Sequence, residues 1–501
     1  AYKKGTFGVR FKGDVPAGKT VTNSAGTLQV TPKNTWPDGS LKFAILSGQA
    51  DVTGGTDTVV GLLVIPAPAD ATPLKTAKLR ATEIVAEVGA GAYGVATFSG
   101  ADWDAPFQTW VSGARMSSWI YRKPVGTDKH LVAWLEVRLW SSGAVEVLPW
   151  IENGYLNVAA PVNKSATFTF TLGKTQRMSA AIDLKHHQRT PLINGAALSY
   201  WLSIDPGVTA RHDRAYLQAS ELVPAYMASV ASNAAVVGKL VSSYTPLQAG
   251  NFSYDGDSMA ATGYQEPIGM LPLHDVLYLT SDAAVAYGAV VRNGFSAGRY
   301  GIHYRDETTN RPLRFSKYPT LSIGDSQGFK DNGGSTTGSY VPTPSGGNPS
   351  GWDCAHSPSV GYMAYLVTGR FYVMEEVQFA ATTNYLGNGD NAALRTGSKG
   401  LVQTCTDCWQ TRSTAWDWRA RVQALCVTPD ADTDLRAEFI ASVEANIEHF
   451  HGRYVAQANN PFGWVKPGET YNGSIGAGAP WQQDFVTAAF GFAVSLGLPI
   501  S

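Results

Sequence analysis

Two hydrophobic periods divide this chain. Up to about residue 185 apolar and polar residues alternate, as in Phe7-Gly-Val-Arg-Phe11, Leu41-Lys-Phe-Ala-Ile-Leu46, His130-Leu-Val-Ala-Trp-Leu-Glu-Val-Arg-Leu-Trp140, Ala144-Val-Glu-Val-Leu148 and Ala166-Thr-Phe-Thr-Phe-Thr-Leu172. A period of two puts successive side chains on opposite faces, so these runs predict strands. Gly, Pro, Asn and Asp punctuate them at short spacing, the pattern of an antiparallel sandwich or barrel. Pro66-Ala-Pro-Ala-Asp-Ala-Thr-Pro73 reads as a loop, because proline cannot donate into a ladder.

From about residue 210 the period changes to that of helices, with candidates at roughly 213–231, 267–280, 282–296, 356–368, 370–383, 412–427, 432–451 and 482–497. Asp282 and Asp430 are read as N-caps or N-terminal charges. The predicted organisation is therefore a β domain over 1–185, a connection over 186–210 and a helical domain over 211–501. Repeated helical hairpins bury a face only by stacking on neighbours, which predicts an α/α toroid, a complete or partial ring.

The hairpins are asymmetric. His274-Asp-Val-Leu-Tyr-Leu-Thr-Ser-Asp282, Tyr362-Met-Ala-Tyr-Leu-Val-Thr-Gly369 and Ala424-Leu-Cys-Val-Thr-Pro-Asp430 each turn tightly. Between hairpins lie long loops, roughly 297–352, 385–410 and 452–480, and loops beyond about 15 residues in a compact domain are usually functional or disordered. These carry Trp, Tyr, His and Arg, which disordered linkers lack. The first helix of each hairpin then starts at the long-loop end. Tyr264, Gln265 and Glu266, Asp353 and His356, Gln410 and Arg412, and Trp481, Gln482 and Asp484 are expected around one mouth. Helix N-termini carry free N–H groups and partial positive charge, which suits an anionic ligand.

Within the first long loop, Arg299, Arg305, Arg311, Arg314 and Lys317 alternate with Tyr300, His303, Tyr304 and Tyr318. Arginine forks bind carboxylates bidentately and tyrosines stack on sugar faces, so the loop reads as an acidic-sugar subsite. The alternative is a loop pinned by ion pairs to Asp306 and Glu307. His356, in Trp352-Asp-Cys-Ala-His-Ser-Pro-Ser359, and His303 with Tyr304 are the rival proton-transfer groups. Tyr362 lies one or two helical turns beyond His356, and Arg412 is a candidate carboxylate clamp. His186 and His187 are assigned to the domain junction.

Composition narrows the classes. The 501 residues carry 16% charged side chains and a net charge of −1, so no global field recruits nucleic acid or a membrane surface. With 52 Gly, 14 Trp, 22 Tyr and 19 Phe, the balance suits a loop-rich secreted, extracellular or periplasmic protein, with a virion-associated one as an alternative. No run of about 18 apolar residues predicts a membrane span. The Ala1 start is compatible with a removed signal peptide or a removed tag. Cys354, Cys405, Cys408 and Cys426 leave open one or two disulfides, free thiols or, least favoured, zinc. No cofactor is expected. The acidic runs Asp255-Gly-Asp257 and Asp430-Ala-Asp-Thr-Asp434 leave structural calcium as a lesser alternative.

Pro32-Lys-Asn-Thr-Trp36-Pro-Asp-Gly-Ser-Leu-Lys-Phe43-Ala-Ile-Leu46 resembles the W-x-D-G-S-x-x-W-A segment of exo-rhamnogalacturonan-lyase-like proteins, with Phe43 in place of the second tryptophan. The resemblance implies a RIFT-barrel-type β domain followed by an α/α toroid, and a polysaccharide lyase acting on a uronate-containing chain by β-elimination. Arg305 or Arg412 would clamp the carboxylate, His303 or His356 would act as base, and Tyr304 or Tyr362 as acid. Arg299, Tyr264, Glu266, Asp353, Trp481 and Asp484 would complete the substrate site. An inverting glycoside hydrolase using Glu266, Asp353 and Asp484 is the alternative enzyme, and a non-catalytic glycan-binding or surface-attachment protein the alternative without catalysis.

Overall fold

The computed structural model describes residues 2–9, 15–51, 58–69, 71–156, 158, 162–226, 234–250, 268–281, 283–318, 349–352, 356–387, 400, 411–455, 457–465 and 480–498. The fold is of the β plus α class. Its first part is built of antiparallel, sandwich-like sheets and its second of helices.

A small sheet pairs β1 (Tyr2–Val9), β4 (Leu41–Asp51) and β3 (Leu28–Thr35), with β2 (Lys19–Thr22) and β5 (Leu63–Pro66) forming a separate ribbon. Next come β6 (Ala86–Ala90), β7 (Val95–Phe98), β8 (Gln108–Val111), β9 (Met116–Val125), β10 (Asp128–Trp140) and β11 (Val145–Asn153). β12 (Lys164–Leu172), β13 (Thr175–Leu184), β14 (Gln188–Pro191) and β15 (Tyr200–Trp201) complete the strands. One sheet runs β13-β12-β6-β7, the other β14-β11-β10-β9-β8 with β15 against β11. The sheet thus continues past residue 185, through the stretch expected to be only a connection.

The meander β9-β10-β11 explains how the two parts join. Leu135, Val137 and Leu139 lie on one face of β10 and are fully buried. The other face carries Trp134, Glu136 and Arg138, opposite Trp150, Leu148 and Glu146 of β11 in register. An antiparallel sheet commonly turns its polar face to water. Here that face is buried as well, against the helical part.

Among the described residues, α1 (Thr76–Arg80), α2 (Arg214–Ala219) and α3 (Ala234–Val237) are about one turn each. The helix expected over roughly 213–231 is therefore much shorter where it is described. The longer helices are α4 (Leu273–Thr280), α5 (Val285–Ser296), α6 (Tyr362–Thr368), α7 (Phe371–Gly387), α8 (Thr411–Val427), α9 (Thr433–Phe450) and α10 (Pro480–Ser495). Only four, two and five residues separate α4 from α5, α6 from α7 and α8 from α9. α8 packs on α7, α9 and α10, and all its residues are buried although it holds Arg412, Asp417, Arg419, Arg421 and Gln423. The helix expected over roughly 412–427 is present, but an apolar stripe does not account for its burial on every side.

Two details depart from the sequence expectations. α6 starts at Tyr362 rather than near His356, because Pro358 disfavours helix before it and Gly361, at φ 73°, enters the helix from the left-handed region. Asp430 does not cap α9. Its carboxylate accepts from the Thr35 N–H at 2.8 Å, the Thr35 hydroxyl at 3.0 Å and Asn34 Nδ2 at 3.1 Å, fastening the α8–α9 turn to β3. Asp282 lies outside the described residues.

The segment that carries the family resemblance is a junction too. Gly39, at φ 80°, and the Asp38–Ser40 hydrogen bonds form the turn after Trp36. Lys42 Nζ lies 4.6 Å from the Trp36 ring centroid and donates to the Gly497 carbonyl at 2.7 Å, joining the β part to the end of α10.

Candidate functional site

The basic loop does not form one surface. Arg305 is buried, donating to both oxygens of Glu152 on β11, and to Glu375 Oε1 at 3.1 Å and Oε2 at 2.8 Å on α7. Arg189 on β14 donates to Glu376 Oε1 and Glu375 Oε2, each at 2.9 Å. His303 completes the cluster, with Nε2 2.8 Å from Glu376 Oε2 and Nδ1 3.1 Å from the His187 carbonyl. Against the opposing effect of burial, Arg305 and Arg189 hold Glu375 down to about 2, and Arg189 holds Glu376 below the usual carboxylate range. The same carboxylates raise both arginines further.

Tyr304 is buried with its ring stacked on His187 at 4.0 Å, and burial pushes its phenol up. Arg299 donates to the Ser296 carbonyl at 2.8 Å and to the Tyr300 hydroxyl. The loop is thus pinned, with Glu152, Glu375 and Glu376 holding Arg305 and His303, and Asp306 accepting from the Thr308 and Thr309 N–H groups and the Tyr318 hydroxyl. His303, Tyr304 and Arg305 sit in the junction between the β and helical parts, where His186 and His187 also lie.

A second group gathers at helix starts. Arg412, on the first turn of α8, places Nη2 2.7 Å from His356 Nε2. Arginine has no acceptor, so this contact uses the bare ring nitrogen. Gln482 on α10 accepts from the Arg412 backbone N–H at 2.8 Å, and the guanidinium lies 5.7 Å from the Trp481 ring centroid. His356, Arg412 and Gln482 are buried, Trp481 is half-buried and Asp484 is exposed. Side chains from the approaches to α6, α8 and α10 therefore meet at one place. Deeper in α8, Arg419 donates to the Gly269 carbonyl and to Ser357 O at 2.6 Å, and Gln423 bonds the Ser359 hydroxyl at 2.7 Å. These bonds fix the segments leading into α4 and α6.

Tyr362 does not face this group: its hydroxyl donates to the Leu222 carbonyl at 2.7 Å and contacts Sγ of Cys426, a buried free thiol. Tyr264, Glu266 and Asp353, with Gln265 and Gln410, lie outside the described residues, as do Cys354, Cys405, Cys408 and the Asp255–Asp257 run.

A third feature was not anticipated. A cleft of about 510 Å³ opens between the β part and the α8–α9 turn, walled by Lys33, Trp110, Arg311, Arg314 and the run from Asp430 to Asp434. Arg311 pairs with Asp432, Arg314 with Asp434 at 2.7 Å, and Arg436 with Asp430 at 3.2 Å. The acidic run read as a calcium alternative is engaged in these pairs. Among the described residues no group of three His, Cys, Asp or Glu side chains is placed to hold a metal. The sequence signal for the cleft was weak: one lysine in a strand and two arginines already assigned to a loop.

No helix of the described residues is long and apolar enough to cross a membrane. Compared with family models, curated proteins and solved structures, the chain matches none of them.

Proposed function

We propose that this chain is a polysaccharide lyase that cleaves a uronate-containing polysaccharide by β-elimination, with its helical hairpins belonging to an α/α toroid. The observation that carries the reading is the Arg412–His356 contact at 2.7 Å beside Trp481. Elimination next to a carboxylate needs a cation to offset the charge that develops when the α-proton leaves, and a base to take that proton. In this reading Arg412 receives the carboxylate. The incoming anion draws the guanidinium from His356 Nε2, and the freed nitrogen removes the α-proton. The α C–H bond breaks, the C=C bond forms, and the bond to the β glycosidic oxygen breaks.

The departing oxygen needs a proton, and His356 now holds one. Tyr304 and Tyr362 are left out of this role, since one is packed on His187 and the other is bonded to Leu222 O. Trp481 supplies a half-exposed aromatic wall for the sugar ring. His303 and Arg305 are assigned to holding the junction, and no cofactor enters the scheme.

Ultraviolet absorbance during incubation with a panel of uronate polysaccharides, alongside reducing-end release, tests the reading. Rising absorbance reports the unsaturated product. His356→Ala and Arg412→Ala should each slow it by about 10²–10⁴-fold while circular dichroism stays unchanged. Reducing ends without absorbance would replace elimination with hydrolysis and turn attention to Asp484.

A further inference from the structure

The cleft between β3, β8 and the α8–α9 turn has no part in that chemistry. α8 separates it from Arg412, and 17 residues at a helical rise make that about 25 Å. Its volume falls in the range of small-ligand sites, roughly 300–1,000 Å³. What marks it is one amine without an ion pair among otherwise paired charges. Arg311 and Arg314 are matched by Asp432 and Asp434, and Asp430 by Arg436, Thr35 and Asn34. Lys33 is not matched. Its side chain is half-buried at the wall, with the amine 3.5 Å from the Trp110 ring centroid and bonded to the Trp110 carbonyl. Among the described residues no carboxylate lies within ion-pair distance of it, and burial pushes it down to about 7, against a weaker opposing effect of Glu136. An amine in that condition gains its proton when an anion arrives.

We infer that this cleft is a second saccharide site, in which the carboxylate of a uronate unit sits on Lys33 while Arg311, Arg314 and their aspartates hydrogen-bond the neighbouring hydroxyls. The carboxylate follows from the unmatched amine; the saccharide rests on the function proposed above. Bound there, a chain reaching toward Arg412 would be held at both ends of α8. Lys33 then switches from a half-neutral amine to an ammonium, so binding takes up a proton above pH 7. The sign is fixed by the direction of the Lys33 shift, because a bound anion can only raise an amine.

Calorimetric titration of the full-length Arg412→Ala protein with a trigalacturonate tests this, since that variant lacks the proposed clamp at the other end of α8. Expected are binding at pH 8, proton uptake revealed by buffers of different ionisation enthalpy, and at least a tenfold loss of affinity with Lys33→Met added. Lys33→Arg should keep the binding and lose the proton uptake, a split that a structural role for Lys33 would not produce. A neutral maltotriose should not compete. The inference is overturned if Lys33→Met leaves affinity or proton uptake unchanged, or if maltotriose binds equally well. Absorbance by the wild-type enzyme reports the lyase separately, so either reading can fail while the other stands.

Discussion

Two buried charge systems lie on neighbouring helices and are built on opposite terms. Around α7, Arg189 and Arg305 face Glu152, Glu375 and Glu376, and each guanidinium reaches two or more carboxylates. On α8, Arg419 is just as buried but is held by the backbone carbonyls of Gly269 and Ser357, and burial lowers it to about 9. Asp417 offsets this only in part. The first system joins the β part to the helices through side chains bonded to one another. The second fixes the segments beneath the His356–Arg412 pair through backbone carbonyls, with Asp417 the carboxylate that acts on Arg419 from the same helix. Matched charge marks a junction, and unmatched charge marks where an anion would be welcome.

The largest effect should come from breaking the matched system. Glu375→Ala leaves two buried guanidiniums short of a partner and should cost about 3–5 kcal/mol in chemical denaturation. A cost below 1 kcal/mol would mean that the junction does not depend on pairing. Next is acid. Burial holds His186 down to about 4, so the unfolded chain takes up that proton first. Its contribution is full above the ordinary value of 6.5 and is lost as pH falls toward 4. Glu375, depressed to about 2, contributes fully above 4.5 and loses its share as pH falls through 2. His186→Gln should flatten the upper part of the stability profile, by at most about 3 kcal/mol, without changing the lower part.

Arg419→Met sharpens the contrast. It removes two hydrogen bonds but also an unmatched charge, so its cost should be about 1–3 kcal/mol, below that of Glu375→Ala. An equal or larger loss would put Arg419 on the same footing as Arg305. The smallest effect is expected at the exposed edge of the junction, where Thr35→Val removes one bond to Asp430. About 0.5–1.5 kcal/mol is expected there, read as a small shift in the denaturation midpoint.

Periodicity alone was enough to separate strands from helices, since alternation in His130–Trp140 and the apolar spacing around Leu273–Thr280 are both local. It misplaced the start of α6, where the left-handed Gly361 decides, and it shortened the sheet, because β14 and β15 are held by partners on β11 rather than by their own pattern. For the candidate site, the grouping of helix starts was readable from hairpin asymmetry, and His356, Arg412, Trp481 and Gln482 do meet. The basic loop was not readable. Arg305 looks the same in sequence whether it faces a sugar or Glu152, which lies 153 positions away.

By itself, then, the sequence determined which stretches fold as strand or helix and which polar side chains stand near helix starts, because both follow from spacing along the chain. Only the tertiary structure decided which charges are matched. Pairing depends on distance through space, and a buried arginine is either neutralised by a carboxylate from a remote element or left open, as Lys33 is, to one that a ligand brings.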